Sequence, residues 1–167
     1  MKKIVLAIAV AVLCSASSVV AQKFGYVNSQ ELLASMPEAK KADSSLQLFA
    51  KSYQDQIESM IKEYQKKGQE YQAQEKTMTE AVKEVKMRDL QKLEENIQQT
   101  QQSAQDKVAK KKEDLFTPIL EKADKAIKEV AKANNYDYVF DASAGALLYA
   151  KDSDNILPLV KTKLGIK

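Results

Sequence analysis

"LQLFAKSYQDQIESMIKEY", residues 46–64, decides the fold. Leu46, Ala50, Tyr53, Ile57, Met60 and Tyr64 recur in alternating steps of four and three. Tyr71 and Met78 continue the series, with Lys67 and Gln74 at the two positions between. That heptad spacing keeps one seam turned toward a partner helix. The seam starts apolar and becomes polar with distance.

The partner lies downstream. Thr77-Met78-Thr79-Glu80 reads as a reversal: Thr77 with Glu80 three residues on fits a capping box, and Thr79 is the alternative N-cap. A second helix then carries Val82, Leu90, Leu93, Ile97, Ala104, Val108 and Leu115. Its seam thins at "QQTQQSAQ", residues 98–105, where Thr100 and Ala104 hold the seam positions. Eight residues between heptads are too few for a linker, and glutamine is a fair helix former. Charge-rich, β-branched-poor surroundings argue against an aggregating segment. The expectation is a loosely held helix that hinges around Thr100 and Gln101. Gly68, at a cost of about 1 kcal/mol relative to alanine, is either a second site of flexibility or merely tolerated on an exposed face. Pro118 is a third, since its missing N–H should kink or restart the helix. Ile119, Leu120, Ala123, Ile127, Val130 and Ala131 resume the pattern, which ends near Asn134-Asn135.

Length turns this hairpin into an arm. A helix from Glu38 to Lys76 measures ~58 Å at ~1.5 Å per residue. A compact globule of this chain length is only ~38 Å across. The hairpin, residues 37–135 with its tip near 77–80, must therefore protrude.

The ends make the body, residues 22–36 and 136–167. Lys23 to Asn28 reads as a strand with Phe24 and Tyr26 alternating, and Ser29 can cap a short helix through Leu32-Leu33. Tyr136 to Asp141 is the strongest strand, Ala146 to Ala150 a further one, and Ser143 to Gly145 a turn between them. Asn155 can cap a last helix with Ile156, Val160 and Leu164 on one face, Pro158 in its first turn and Gly165 as its stop. A body of some 47 residues sits near the ~40-residue limit for a lone core, and its strand edges need covering. Association is the expected remedy, carried by Phe24, Tyr26 and Val27 together with Tyr138, Val139, Phe140, Leu147, Leu148 and Tyr149.

Residues 1–21 read as a cleaved export leader: basic Met1-Lys2-Lys3, an apolar run from Ile4 to Leu13, and Val19-Val20-Ala21 before the cut. That run is shorter than the roughly 20 residues that span a bilayer. Cleavage removes Cys14, the only cysteine, and leaves 24 basic residues against 23 acids. With Arg88 the sole arginine, nucleic acid is not an expected partner.

No catalytic constellation is present, nor any metal-ligand spacing or phosphate-binding glycine loop, so neither enzyme nor cofactor is expected. Glu94-Glu95 and the cluster Lys107, Lys110, Lys111 and Lys112 belong to solvated helix faces. Tyr53, Met60, Tyr64, Tyr71, Met78 and Met87 have two readings. The first five fit as seam residues, and all six suit adaptable apolar contact with a varied client.

The signal peptide, "KFGYVN" at 23–28, the charged hairpin, and "YDYVFDASAGALLYAKDSDNILPLVKTKLG" at 136–165 together resemble the Skp/OmpH family of periplasmic chaperones. Asp137 to Ala142 is similar to the family's hydrophobic strand closing on an acid. Asn155-Ile156 through Val160 to Leu164-Gly165 is similar to its final helix. The resemblance implies an α+β fold: a β-barrel body built by three copies, with long antiparallel helical hairpins protruding around a cavity. It also implies ATP-independent holding of unfolded outer-membrane proteins in the periplasm and their delivery for assembly. Stable membrane insertion is not expected, while the weakly basic tip leaves peripheral membrane contact open. The rival from the residues alone is a structural coiled-coil spacer of the envelope.

Overall fold

A computed structural model describes residues 22–166, so the expected leader and its cleavage point lie outside the described residues. Strand β1 (Phe24–Val27) leads into α1 (Ser29–Ser35), α2 (Pro37–Gln74), a 3-10 turn (Glu75–Thr77) and α3 (Glu80–Ala133). Strand β2 (Tyr138–Asp141), a second 3-10 turn (Asp152–Asp154) and α4 (Leu157–Lys163) complete the order. The chain is mostly helical: a long hairpin of α2 and α3, and one small strand pair. β1 and β2 run parallel, in register Phe24 with Tyr138 through Val27 with Asp141.

Local chemistry sets each boundary. Asn28, not Ser29, caps α1, its side chain accepting from the Glu31 N–H at 3.0 Å. Met36 is extended, as the residue before Pro37 must be, and this splits α1 from α2. At the tip the alternative cap is the one used: Thr79 accepts from the Val82 N–H, while Thr77 donates back to the Gln74 carbonyl. α3 runs on through Pro118 without restarting. Pro118 is exposed, so the unpaired carbonyl behind it faces water, a small loss in a 54-residue ladder. Both α3 and α4 end in Schellman motifs, with Asn135 (φ 55°) and Gly165 (φ 71°) in the left-handed region. Asn155 holds the Leu157 N–H at 2.9 Å, doing the work expected of a cap from one residue outside the formal cap position, Ile156.

Two strand expectations change. Tyr136 closes the end of α3 rather than opening β2. Residues 146–150 form no strand, because among the described residues no ladder partner lies beside them.

The core sits where α1 and α4 meet the base of the hairpin. Leu32, Met36, Ile156 and Val160 are completely buried. Small residues let the hairpin roots close: Ala39 and Ala42 on α2, Ala123 and Ala126 on α3, all in the same cluster. Lys122 bonds Glu38 at 2.5 Å where α2 begins. From there Ala123 to Ala133, about 16 Å of helix at ~1.5 Å per residue, continues into the body and carries Val130 against the core. Gly25 is required by close approach: a Cβ there would lie 3.0 Å from the Tyr136 ring and 3.1 Å from Ile156.

Candidate functional site

Two surfaces remain once the core is accounted for. The first is the outer face of the strand pair. Period-two alternation sends Gly25, Val27 and Val139 toward the core and the aromatics outward. Phe24 stacks on Tyr138 at 5.7 Å between ring centres and lies 6.2 Å from Phe140. Phe24, Tyr138 and Phe140 are each about half exposed. Leu147 and Tyr149 line, with Phe24, Tyr26 and Phe140, an open pocket of about 270 Å³. Leu148 is 97% exposed, and Tyr149 82%. Val27, expected among the association residues, is instead buried in the chain's own core, with Val139 packed beside it.

The second surface is the arm. Tyr53, Met60, Tyr64, Tyr71 and Met78 are half-buried along the seam, whereas Met87 is 58% exposed. On α3 the pattern departs from expectation in two places: Val82 is exposed and Lys83 takes the half-buried position, and Leu120 is also exposed. The lysine stem can cover apolar surface while its ammonium bonds Glu80 at 2.8 Å. That hydrogen bond raises the Lys83 pKa. Gly68 has open space around its Cβ position, so it answers to no packing requirement.

The segment 98–105 is helical throughout, with Ile97 and Ala104 buried. Around it the hairpin is held by rings and ammonium groups rather than by leucines. Phe49 meets Tyr53 edge-on at 5.2 Å, Lys107 of the opposite helix stands 5.6 Å from the Tyr53 ring, and Lys111 stands 6.0 Å from Phe49. Thr100 is half-buried and Gln101 exposed. Each flank of this level has a groove. One is polar, about 350 Å³, against Thr100, Ser103 and Lys107. The other, about 710 Å³, has an apolar floor of Ala50, Ile57, Ala104, Val108 and Ala109.

Sequence reasoning missed one polar knot in the body. Asp141 accepts from the Ser29 hydroxyl at 2.6 Å, the Ser29 N–H at 3.2 Å and the Ser143 N–H at 2.9 Å. Burial works to raise its pKa, but the hydrogen bonds from Ser29 and Ser143 prevail and lower it to about 2. Asp-x-Ser after a strand signals an Asx turn, which could have revealed half of the knot. Ser29, 112 residues away, carried no such signal.

Among the described residues no group of three or more His, Cys, Asp or Glu side chains could hold a metal ion, and no helix is long and apolar enough to cross a membrane. Residues 23–164 match the family model described as outer membrane protein (OmpH-like). The fold is similar to the crystal structure of a candidate outer membrane chaperone (OmpH-like) from Caulobacter crescentus. That likeness has a TM-score of 0.76 and 16% identity, over 87% of this chain and 85% of the other. No curated protein matches by sequence.

Proposed function

This chain belongs to the OmpH-like outer membrane protein family, and on that premise we propose that it is a periplasmic holdase chaperone. It binds unfolded outer-membrane proteins without ATP, prevents their aggregation and passes them on for outer-membrane assembly. Three copies join through the exposed aromatic strand face and the 146–150 segment to build a β-barrel body, and their arms enclose a shared cavity. The leader, residues 1–21, directs export and is removed. No catalysis is involved: capture rests on many weak contacts along the arm, and release on competition from the client's own folding.

The observation that carries the reading is the family match over residues 23–164 to a chain whose hairpin has a thin seam. A rigid spacer gains from a continuous apolar seam. Here each missing leucine forgoes the ~1.5–3 kcal/mol that full burial would contribute, and half-buried Tyr and Met side chains stand in its place.

Aggregation suppression tests it. A urea-unfolded outer-membrane barrel protein is diluted into buffer with the mature protein and no nucleotide, and light scattering is followed. Suppression at stoichiometric trimer is expected. Undiminished scattering at molar excess overturns the reading.

A further inference from the structure

The groove of about 710 Å³ beside the glutamine-rich segment has walls that match one kind of ligand. Its floor is apolar: the small or branched side chains of Ala50, Ile57, Ala104, Val108 and Ala109, with the ring of Tyr53 beside them. Its rim carries the amides of Gln54, Gln101 and Gln105, one cation, Lys112, and no acid. Three glutamines of the arm, Gln47, Gln91 and Gln102, spend their amides on the neighbouring carboxylates of Asp43, Glu95 and Asp106, while most of the others make no side-chain hydrogen bond among the described residues. Among the described residues Gln54, Gln101 and Gln105 make no such bond, so each rim amide keeps two donors and a carbonyl acceptor for a ligand.

An amide presents the same donor and acceptor types as a peptide bond. Three of them around an apolar floor suit a chain whose backbone groups are unpaired and whose alternate side chains are apolar. From Gln101 to Lys112 the groove follows α3 for ~16 Å at ~1.5 Å per residue. At ~3.3 Å per residue that accommodates about five extended residues. A folded helix offers no free backbone groups to such a rim, and a lipid chain none at all.

We propose that this mid-arm groove is a docking site for an extended, unfolded polypeptide segment with alternating apolar side chains. Gln54, Gln101 and Gln105 hydrogen-bond its backbone independently of sequence. The "QQTQQSAQ" segment is then a recognition element, and its poor seam leaves room for the ligand. This deepens the holdase reading and rests on it, because it names where and how a client strand is held.

The probe is a fluorophore-labelled ten-residue peptide alternating Val or Leu with Thr, compared with the same peptide N-methylated at alternate amides. Fluorescence anisotropy with the mature protein should show binding of the first and about fivefold or more weakening for the second, the loss of one or two net hydrogen bonds. Ala109→Trp, at an exposed floor position, should fill the groove and abolish binding. The double variant Gln101→Ala, Gln105→Ala should weaken it by a similar ~fivefold factor per lost bond. Circular dichroism identifies any variant that misfolds, and Gln54→Ala on the facing helix then serves as the independent check. Equal binding of the methylated peptide, or displacement by a lipid or a folded amphipathic helix instead, overturns the proposal. Aggregation suppression that survives Ala109→Trp with peptide binding unchanged overturns the groove and leaves the holdase reading standing.

Discussion

The hydroxyl of Ser29 and the carboxylate of Asp141, 112 residues apart in sequence, meet at 2.6 Å and fasten the start of α1 to the end of β2. The Ser29 and Ser143 N–H groups complete the same carboxylate's shell. Replacing Asp141 by Asn turns one acceptor oxygen into a donor facing donors. Asp141→Asn is expected to lower stability by about 1–3 kcal/mol, read as a shift in urea midpoint without a change in slope.

Acid should loosen the same knot. The Asp141 pKa is lowered from 3.8 to about 2 by its hydrogen bonds, so its contribution is complete above pH ~4 and lost as pH falls through that window. The carboxylate is largely exposed, and after discounting for solvent the effect is about 1 kcal/mol. Urea midpoints measured between pH 5 and pH 2 should fall less for Asp141→Asn than for the parent. Parallel pH profiles would refute the assignment.

Gly25→Ala tests the seat of β1. The added methyl meets the Tyr136 ring at 3.0 Å and Ile156 at 3.1 Å, deep enough that the ring must shift. Overpacking of this kind costs about 1–3 kcal/mol. Gly68→Ala, in open space within α2, should instead gain up to about 1 kcal/mol. The pair of thermal midpoints should move in opposite directions.

The body surface and the core should respond in different currencies. Val160→Ala, at a completely buried site, is expected to cost about 1–3 kcal/mol of stability. Leu148→Ser with Tyr149→Ser removes side chains that are 97% and 82% exposed, so the single chain should lose little helix signal. Sedimentation should nevertheless show the double variant dissociating at concentrations where the parent is associated. Unchanged association would remove these two residues from the proposed trimer interface.

Amide exchange should follow the seam. Protection is expected to be highest around Ala123–Val130, lower at 98–105, and lowest at the tip, where Thr79→Ala should speed exchange further by removing a cap worth about 0.5–2 kcal/mol. Equal protection at 98–105 and at the root would refute a loosely held mid-arm.

The arm was legible because heptad spacing is a local signal. The apolar members of the series, Leu46, Ala50, Tyr53, Ile57, Met60, Tyr64, Tyr71 and Met78, lie half-buried where the steps of three and four put them, while the polar members Lys67 and Gln74 are exposed. The body was less so, because what fixes it is non-local. Ser29 reads as an N-cap until Asp141 is known to be beside it, and Val27 reads as surface until α1 and α4 are seen to cover it. Residues 146–150 have the composition of a strand, but a strand is a pairing, and a single chain supplies no mate. At the groove, the glutamines were visible as a gap in the seam. That Gln54 of the other helix completes the rim was not, since it depends on the rotation of α2 against α3.

The closed root at Glu38 and Lys122 also bears on the order in which the molecule forms. β1 and β2 are parallel neighbours separated by more than a hundred residues, which by itself is a slow, late contact. With the hairpin closed at Glu38 and Lys122, only roughly two dozen residues still separate the strands. With closure cost growing as (3/2)RT ln n, that shortening saves ~1.3 kcal/mol. A closed arm thus brings the two strands of its own base within reach of each other.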